Sequence, residues 1–274
     1  MHDDTLEHFF DEGLIERVIR PINSGKEASV HLCRANPRTT GVELAALKIF
    51  HPLDRRDFRD EGLYRDGEWI KERRVRVALE KRTRYGRQVQ GSLWVNREWE
   101  TLATLARART AVAVPRPIER TEDAILMSYV GDLDVAAPQL RSYRPDGPQE
   151  ARELVDQIVR TVELMLFHDV VHADLSPYNV LVWDGAITVI DFPQAVDPRA
   201  NAHAEAFLRR DLDRIAAYAE RWGVELDTPR ISDDLWTAWT FADLVPEELR
   251  GLSERSGIVR PGDDGDFAPS SRLR

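Results

Sequence analysis

The chain has 274 residues, 42% of them hydrophobic, and a formal net charge of −10 at pH 7. This length and apolar content suffice for one large domain or for two lobes that share a cleft. The negative charge argues against a protein that coats nucleic acid, and the single cysteine, Cys33, excludes a disulfide framework and a multi-cysteine metal site. Because the sequence has neither an 18-residue apolar stretch nor a secretory signal pattern, we expect a cytoplasmic protein without membrane contact.

Strand patterns dominate the first half of the chain. Apolar residues at helical spacing predict one amphipathic helix at the start, and alternating apolar residues predict the strands that follow. A densely charged stretch with two glycines predicts a mobile loop. In order, these elements are a helix over 4–17, strands over 28–34 and 43–50, the loop over 51–68, a helix over 94–107 and a strand over 124–130.

Helical patterns dominate the second half. Its predicted elements are a helix over 149–168, strands over 180–183 and 187–191 joined by an Asp-Gly turn, and helices over 200–222, 232–242 and 246–253. The last stretch is rich in Gly, Pro, Ser and Asp and predicts a flexible tail. The fold class is therefore α+β and bilobal, with a β-rich N-lobe over 1–130, a helical C-lobe over 131–255 and a tail over 256–274.

The strongest chemical signal lies in residues 170–192. His172 is followed by Asp174 and Asn179, then by two apolar strands around a turn, and then by Asp191. This order is typical of protein kinases, in which an aspartate serves the acceptor hydroxyl while an asparagine and a second aspartate bind metal. Turn formation and strand capping are the structural alternatives for these three residues. Three matched polar positions framed by two apolar strands favour the catalytic interpretation.

Two upstream residues fit the same chemistry. Lys48 ends an apolar strand as Ala-Leu-Lys-Ile, close to the pattern of the lysine that contacts ATP phosphates in kinases. Glu98 lies on a predicted helix from which it can pair with that lysine. Each could instead be ordinary, Lys48 as a solubilising residue of an edge strand and Glu98 as an exposed helix residue.

The segment expected to contact the nucleotide phosphates departs from ordinary kinases. It has no G-x-G-x-x-G pattern and keeps one glycine between a serine and a lysine, as Ser24, Gly25 and Lys26. These residues can still offer backbone N–H groups, a hydroxyl and a positive charge to phosphate oxygens.

Residues 24–28, 172–179 and 190–194 together resemble the RIO family of atypical serine/threonine protein kinases. The resemblance extends over about residues 14–222 and includes the charged loop over 51–68. It implies a protein-kinase-like fold whose reduced C-lobe lacks the activation segment. Too few residues precede residue 14 for the winged-helix domain that one RIO subfamily carries, so we expect a bare RIO domain.

The resemblance also implies a role for each matching residue. Asp174 would be the catalytic aspartate, and Asp191 would bind metal and carry a transient aspartyl-phosphate. The cofactors would be ATP and Mg²⁺, with Mn²⁺ as an alternative metal. The remaining implied roles are metal binding by Asn179, a phosphate contact by Lys48 paired with Glu98, a phosphate loop with Ser24, Gly25 and Lys26, a gatekeeper at Met127, and an adenine-binding hinge formed by Ser128, Tyr129 and Val130.

Three functions remain open on the sequence. The first is a serine/threonine kinase acting on another protein or on itself, and the second is an ATPase switch in ribosome assembly that uses Asp191. The third is a small-molecule phosphotransferase of the aminoglycoside or choline kinase type, which Ala173 and Ser176 disfavour because that group usually has Gly and His there. The basic segment over 71–87 is a candidate contact for RNA or a ribosomal particle, or simply a solvated helix face.

Overall fold

The computed structural model describes residues 2–25, 27–51 and 84–243, with side chains described over 5–25, 27–51 and 92–241. The α+β, kinase-like fold expected from the sequence is confirmed. Several predicted features lie outside the described residues. These are Lys26, nearly all of the loop over 51–68, the side chains of the basic segment over 71–87, the helix over 246–253 and the tail over 256–274.

A five-stranded antiparallel sheet forms the N-lobe, with the strands in the order β1-β2-β3-β5-β4. The strands are β1 (Ile15–Ser24), β2 (Ala28–Ala35), β3 (Leu44–Phe50), β4 (Pro117–Arg120) and β5 (Ala124–Ser128). Among the described residues, three helices accompany the sheet, namely α1 (His2–Asp11), the single turn α2 (Pro37–Thr40) and α3 (Arg84–Ala106). The chain therefore passes through the whole sheet before it enters the C-lobe.

The central strand β3 separates two apolar clusters. Side chains alternate across a strand, so Leu47 and Ile49 pack on the outer face with Phe9 of α1. Ala46 and Phe50 point to the opposite face and join the main core together with α3 and the C-lobe. This arrangement leaves the inner face of the sheet as one wall of a cleft between the lobes.

The C-lobe is built on a long, buried helix. The helix α4 (Pro148–Phe167) buries apolar residues at helical spacing, including Leu154, Ile158 and Val162. The hairpin of β6 (Val180–Trp183) and β7 (Ala186–Val189) packs beside it, followed by α5 (Ala204–Glu220) and α6 (Thr228–Asp243). Residues 192–203 lead directly from Asp191 to α5, which agrees with the short connection expected in place of an activation segment.

The first predicted helix is partly wrong. The sequence predicts helix over 4–17, whereas α1 ends at Asp11 and β1 begins at Ile15. Gly13 has a φ of +62°, the Leu14 N–H donates to the Phe9 carbonyl at 3.0 Å and the Gly13 N–H donates to the Phe10 carbonyl at 2.9 Å. These bonds form a Schellman motif, which ends a helix at a left-handed residue.

Within the described residues, no helix combines the length and the apolar character needed to cross a bilayer.

Candidate active site

Lys48 lies on the inner face of β3, opposite Val30 of β2 and Ile125 of β5. Its side chain shares that face with Phe50, and its ammonium nitrogen Nζ lies 4.9 Å from the centre of the Phe50 ring. Nζ also lies 2.6 Å from an oxygen of each of two carboxylates, Oε2 of Glu98 and Oδ1 of Asp191. The strand thus places one cation between two acidic residues that are distant in sequence.

Glu98 lies on α3 with only 1% of its side chain exposed. Burial raises the pKa of this carboxyl and outweighs the opposing effects of Lys48 and of a hydrogen bond from the Phe192 backbone. Burial alone would lower the pKa of Lys48, but the two carboxylates reverse this effect and hold it above the ordinary value. Lys48 is therefore charged and fixed at the wall of the cleft.

Asp191 follows β7 and faces the cleft from the C-lobe, with 38% of its side chain exposed. Desolvation raises its pKa, but the charge and hydrogen bond of Lys48 dominate, so the pKa lies below the ordinary aspartate value. Its backbone has a φ of +75°, which few residues other than glycine adopt. An ionised carboxylate held in an unusual backbone conformation is typical of a functional site.

His172 connects residues 172–179, the predicted catalytic loop, to the segment that carries Asp191. Its Nε2 lies 3.1 Å from the carbonyl oxygen of Ile190, and its Nδ1 lies 3.3 Å from the backbone nitrogen of Asp174. The ring also packs on Phe192, with the two centres 4.8 Å apart. Burial lowers the pKa of His172, which favours a neutral ring that donates through Nε2 and accepts through Nδ1.

Asn179 and Asp174 lie at opposite ends of one loop and are hydrogen-bonded to each other. The Nδ2 atom of Asn179 donates to the carbonyl oxygen of Asp174 at 3.0 Å, and the Asn179 carbonyl accepts from the Ile190 N–H at 2.9 Å. The Asp174 carboxylate is 40% exposed and accepts a hydrogen bond from Arg214 at 2.8 Å. These bonds tie the loop that holds Asp174 and Asn179 to the segment that carries Asp191, and Asp191 in turn contacts Lys48.

The predicted phosphate loop joins β1 to β2. Ser24 is exposed at the end of β1, and the Gly25 N–H donates to the Ala28 carbonyl at 3.0 Å, which closes the turn. Lys26 lies outside the described residues. Roles for Ser24 and Gly25 in nucleotide binding stay predictions.

The predicted gatekeeper and hinge lie at the end of β5. Met127 is buried opposite Ala46, at the cleft face of the sheet. The Ser128 N–H donates to the Arg116 carbonyl at 2.8 Å, and the Val130 carbonyl accepts from the Ala137 N–H at 3.1 Å. The Ser128 N–H and the Val130 carbonyl oxygen are thus already hydrogen-bonded within the protein. The Tyr129 hydroxyl donates to the Val135 carbonyl at 3.1 Å, which directs its side chain to the next loop.

Three residues of α5 that the sequence analysis did not identify contact the catalytic loop. They lie about 40 positions after the loop in a helix with an ordinary amphipathic pattern, so no motif spacing marks them. A charged residue on the buried face of that helix was the one available indication. These residues are Arg210, Asp211 and Arg214.

In the part of the chain that the structure describes, no group of three or more His, Cys, Asp or Glu side chains is placed to hold a metal ion. Magnesium commonly binds one or two protein ligands together with substrate phosphates and water. The Asp191 carboxylate can supply one such protein ligand. Asn179 does so as well, because donation by its Nδ2 leaves the amide oxygen as the atom for a cation. The donor set fits a hard cation bound with a phosphorylated ligand.

Comparisons with known proteins identify relatives of the chain. The sequence model of the RIO domain matches residues 35–231. The RIO-type serine/threonine-protein kinase Rio1 of Haloferax volcanii is 33% identical over 216 residues, which cover 79% of this chain and 68% of that protein. Rio1 of Thermoplasma acidophilum is 33% identical over 141 residues, which cover 52% of this chain and 71% of the relative. The human serine/threonine-protein kinase RIO1 is 29% identical over 227 residues, covering 80% of this chain but 36% of the human protein.

Proposed function

The chain belongs to the RIO family of serine/threonine protein kinases, and on that premise we propose that it transfers the γ-phosphate of ATP to a serine or threonine hydroxyl of another protein or of itself. The observation that carries the proposal is the pair of 2.6 Å contacts from Lys48 to Glu98 and to Asp191. The contact with Asp191 joins the N-lobe to the C-lobe at the point where a triphosphate has to lie in a kinase-type cleft, and Glu98 holds Lys48 there from within the N-lobe.

Lys48 supplies the positive charge for the phosphates. Glu98 is almost fully buried and fixes the lysine, whereas Asp191 is 38% exposed and able to exchange its contact for a cation. In a protected cleft, a preoriented ammonium stabilises phosphate charge without having to reorganise during transfer. The same proposal assigns to the loop of Ser24, Gly25 and Lys26 the role of covering the phosphates.

A kinase of this family uses ATP and a divalent metal ion, and we assign Mg²⁺ as that metal, with Mn²⁺ as the alternative. Asn179 and Asp191 would hold the ion through an amide oxygen and a carboxylate, which are ligands suited to a hard cation. When bound, the metal neutralises phosphate charge. The lowered pKa of Asp191 keeps its carboxylate ionised and ready to bind.

Asp174 orients the acceptor hydroxyl and takes its proton. Its carboxylate is 40% exposed, and its backbone is fixed on one side by the His172 ring and on the other by the Asn179 amide. Phosphoryl transfer passes through a loose transition state, so positioning contributes more than covalent chemistry. The loop geometry therefore serves to hold one carboxylate where the hydroxyl arrives.

We predict that Asp174→Asn retains ATP binding but loses at least about 100-fold in the rate of phosphate transfer, because a positioned base contributes roughly 100- to 10,000-fold. The rate is measured as incorporation of labelled phosphate from ATP-Mg, and binding by titration. Asp184→Asn changes an exposed aspartate in the β6–β7 turn and serves as the control, with the parent rate expected. Parent-like transfer by Asp174→Asn would refute the proposed role.

A second candidate is an ATPase-driven switch in which Asp191 receives the phosphoryl group and water later removes it. The short connection over 192–203 favours it, because this connection stands in place of the activation segment that forms the peptide platform of ordinary kinases. Labelled ATP separates the candidates, since the phosphate ends in a stable hydroxyl ester, in an acid-labile bond at Asp191, in water or on a small acceptor. A partner role for RNA or a ribosomal particle rests on the basic segment over 71–87 and stays a prediction.

A further inference from the structure

The helix α5 presents three charged residues to the catalytic loop. They occupy positions i, i+1 and i+4, a spacing that keeps them near one face of a helix. Each of them contacts a different one of three consecutive loop residues. The helix residues are Arg210, Asp211 and Arg214, and the loop residues are Ala173, Leu175 and Asp174, respectively.

Two of the three contacts hold the backbone of the loop. Arg210 donates through Nη2 to the Ala173 carbonyl, and the Leu175 N–H donates to the Asp211 carboxylate. Ala173 needs such support because its φ is +63°, in the left-handed region that alanine rarely adopts. Both loop residues are fully buried, so these contacts build the floor of the loop.

The third contact differs because it reaches a partly exposed side chain and not the backbone. The Nη1 atom of Arg214 lies 2.8 Å from Oδ1 of Asp174 and 4.0 Å from Oδ1 of the buried Asp211. The Arg214 side chain is 39% exposed and the Asp174 side chain is 40% exposed. The guanidinium is thus held between a buried carboxylate and the carboxylate that receives the acceptor hydroxyl.

We propose that Arg214 is a positioning residue for phosphoryl transfer, fixing the Asp174 carboxylate in its working orientation from outside the catalytic loop. The proposal rests on the proposed kinase function. Residues 172–179 contain no lysine or arginine, so this loop supplies no cation of its own for Asp174. A guanidinium is permanently charged and rigid, which suits it to fix one rotamer of a neighbouring carboxylate.

The contact is open to testing because a half-exposed ion pair contributes little to folding stability. Arg214→Ala should therefore fold and bind ATP like the parent. Its maximal rate of labelled-ATP consumption should fall roughly 10- to 100-fold, because displacement of a reacting group by about 1 Å can cost about 100-fold. The KM for ATP should stay within about twofold, and Arg214→Lys should recover part of the rate.

Arg209→Ala is the matched control. Arg209 lies on the same helix and makes a comparable ion pair, 2.6 Å from Oδ1 of Asp233, far from the catalytic loop in the chain. Its removal should leave the rate of ATP consumption unchanged. An equal loss in both variants would mean that α5 needs its surface ion pairs for folding, and it would overturn the proposal.

A double-mutant cycle tests whether Arg214 acts through Asp174. If it does, adding Arg214→Ala to Asp174→Asn should change the remaining rate by less than about threefold, since non-additivity marks a shared function. The proposal would be overturned if Arg214→Ala lowered the rate by the same factor in the parent and in Asp174→Asn. It would also be overturned if Arg214→Ala alone did not lower the rate. A parent-like rate for Asp174→Asn alone would instead overturn the proposed function, so the two failures are distinguishable.

Discussion

Asp211 is a carboxylic acid in a setting that disfavours its charge. Only 3% of its side chain is exposed, and its Oδ1 has no hydrogen-bond partner within the described part of the chain. Burial raises the pKa of Asp211 to about 7, although the neighbouring arginines and the Leu175 N–H act in the opposite direction. The residue therefore supports the catalytic loop with a carboxyl group that gains or loses a proton near neutral pH.

The raised pKa makes the free energy of unfolding depend on pH. Between about pH 4 and 7 the folded state binds one proton more than the unfolded state, so stability falls as pH rises through this window. Asp211→Asn keeps an oxygen for the Leu175 N–H but removes the titration. We expect the stability of the variant relative to the parent to rise by up to about 1.4 kcal/mol per pH unit there. Denaturant unfolding at several pH values measures this, and parallel stability curves would contradict it.

At the residue scale, the sequence predicted the groups that have local signatures. The sequence motifs predict site roles for Lys48, Glu98 and Asp191. In the structure, Lys48 donates hydrogen bonds to the carboxylates of both Glu98 and Asp191. The α5 residues were missed because contacts across a long chain separation leave no spacing to detect. Arg214 in particular belongs to a helix whose polar residues look like an ordinary solvated face.

At the element scale, the missed strands are those on the two edges of the sheet. Among the ten residues of β1 only Ile15 is buried, and β1 contains Pro21 and pairs with β2 through register shifts. An edge strand with bulges lacks the regular alternation by which strands are recognised in sequence. The four residues of β4 are all half-buried and give no alternation either. The inner strands β3 and β5 were predictable because burial on both faces gives continuous apolar runs.

Gly131, which follows the predicted hinge, is the glycine with the tightest surroundings among those described. Its φ is +130°, and a Cβ there would lie 2.6 Å from the Val135 carbonyl oxygen and 2.9 Å from the Ala137 nitrogen. Backbone atoms cannot move aside by a rotamer change, as the end of a flexible side chain can. Any larger residue must therefore displace the loop that connects the two lobes.

We predict that Gly131→Ala lowers the free energy of unfolding by more than Gly13→Ala does and also weakens ATP binding. Gly13 has a positive φ of +62° but open space around it, so its substitution isolates the backbone strain of about 1–2 kcal/mol. The excess loss at Gly131 would combine displacement of the hinge with the greater backbone strain of a φ of +130°, and the weaker ATP binding would report the displacement itself. Denaturant unfolding and ATP titration test both variants, and equal losses with unchanged ATP affinity would contradict the prediction.

At the scale of the whole molecule, the two lobes share one core but are joined at the cleft by charge. Ala46, Ile125 and Met127 of the N-lobe sheet pack in the same apolar cluster as α4 and α5 of the C-lobe. Across the cleft, Lys48 of the N-lobe contacts Asp191 of the C-lobe. A ligand that inserts phosphates and a cation between these residues replaces one contact between the lobes with several. Ligand binding and the stability of the whole fold are therefore linked.

This linkage predicts that ATP with Mg²⁺ raises the melting temperature of the parent more than ATP with a chelator does. A ligand at about 100 times its Kd adds about 2.7 kcal/mol to the stability of the folded state. Asp191→Ala should lose the magnesium-dependent part of the shift, because the carboxylate that would hold the ion is gone. Asp197→Ala removes an aspartate from the same connection, where it pairs with Arg199 at 2.8 Å, and should keep the full shift. A magnesium-dependent shift that survives in Asp191→Ala would place the metal on other ligands.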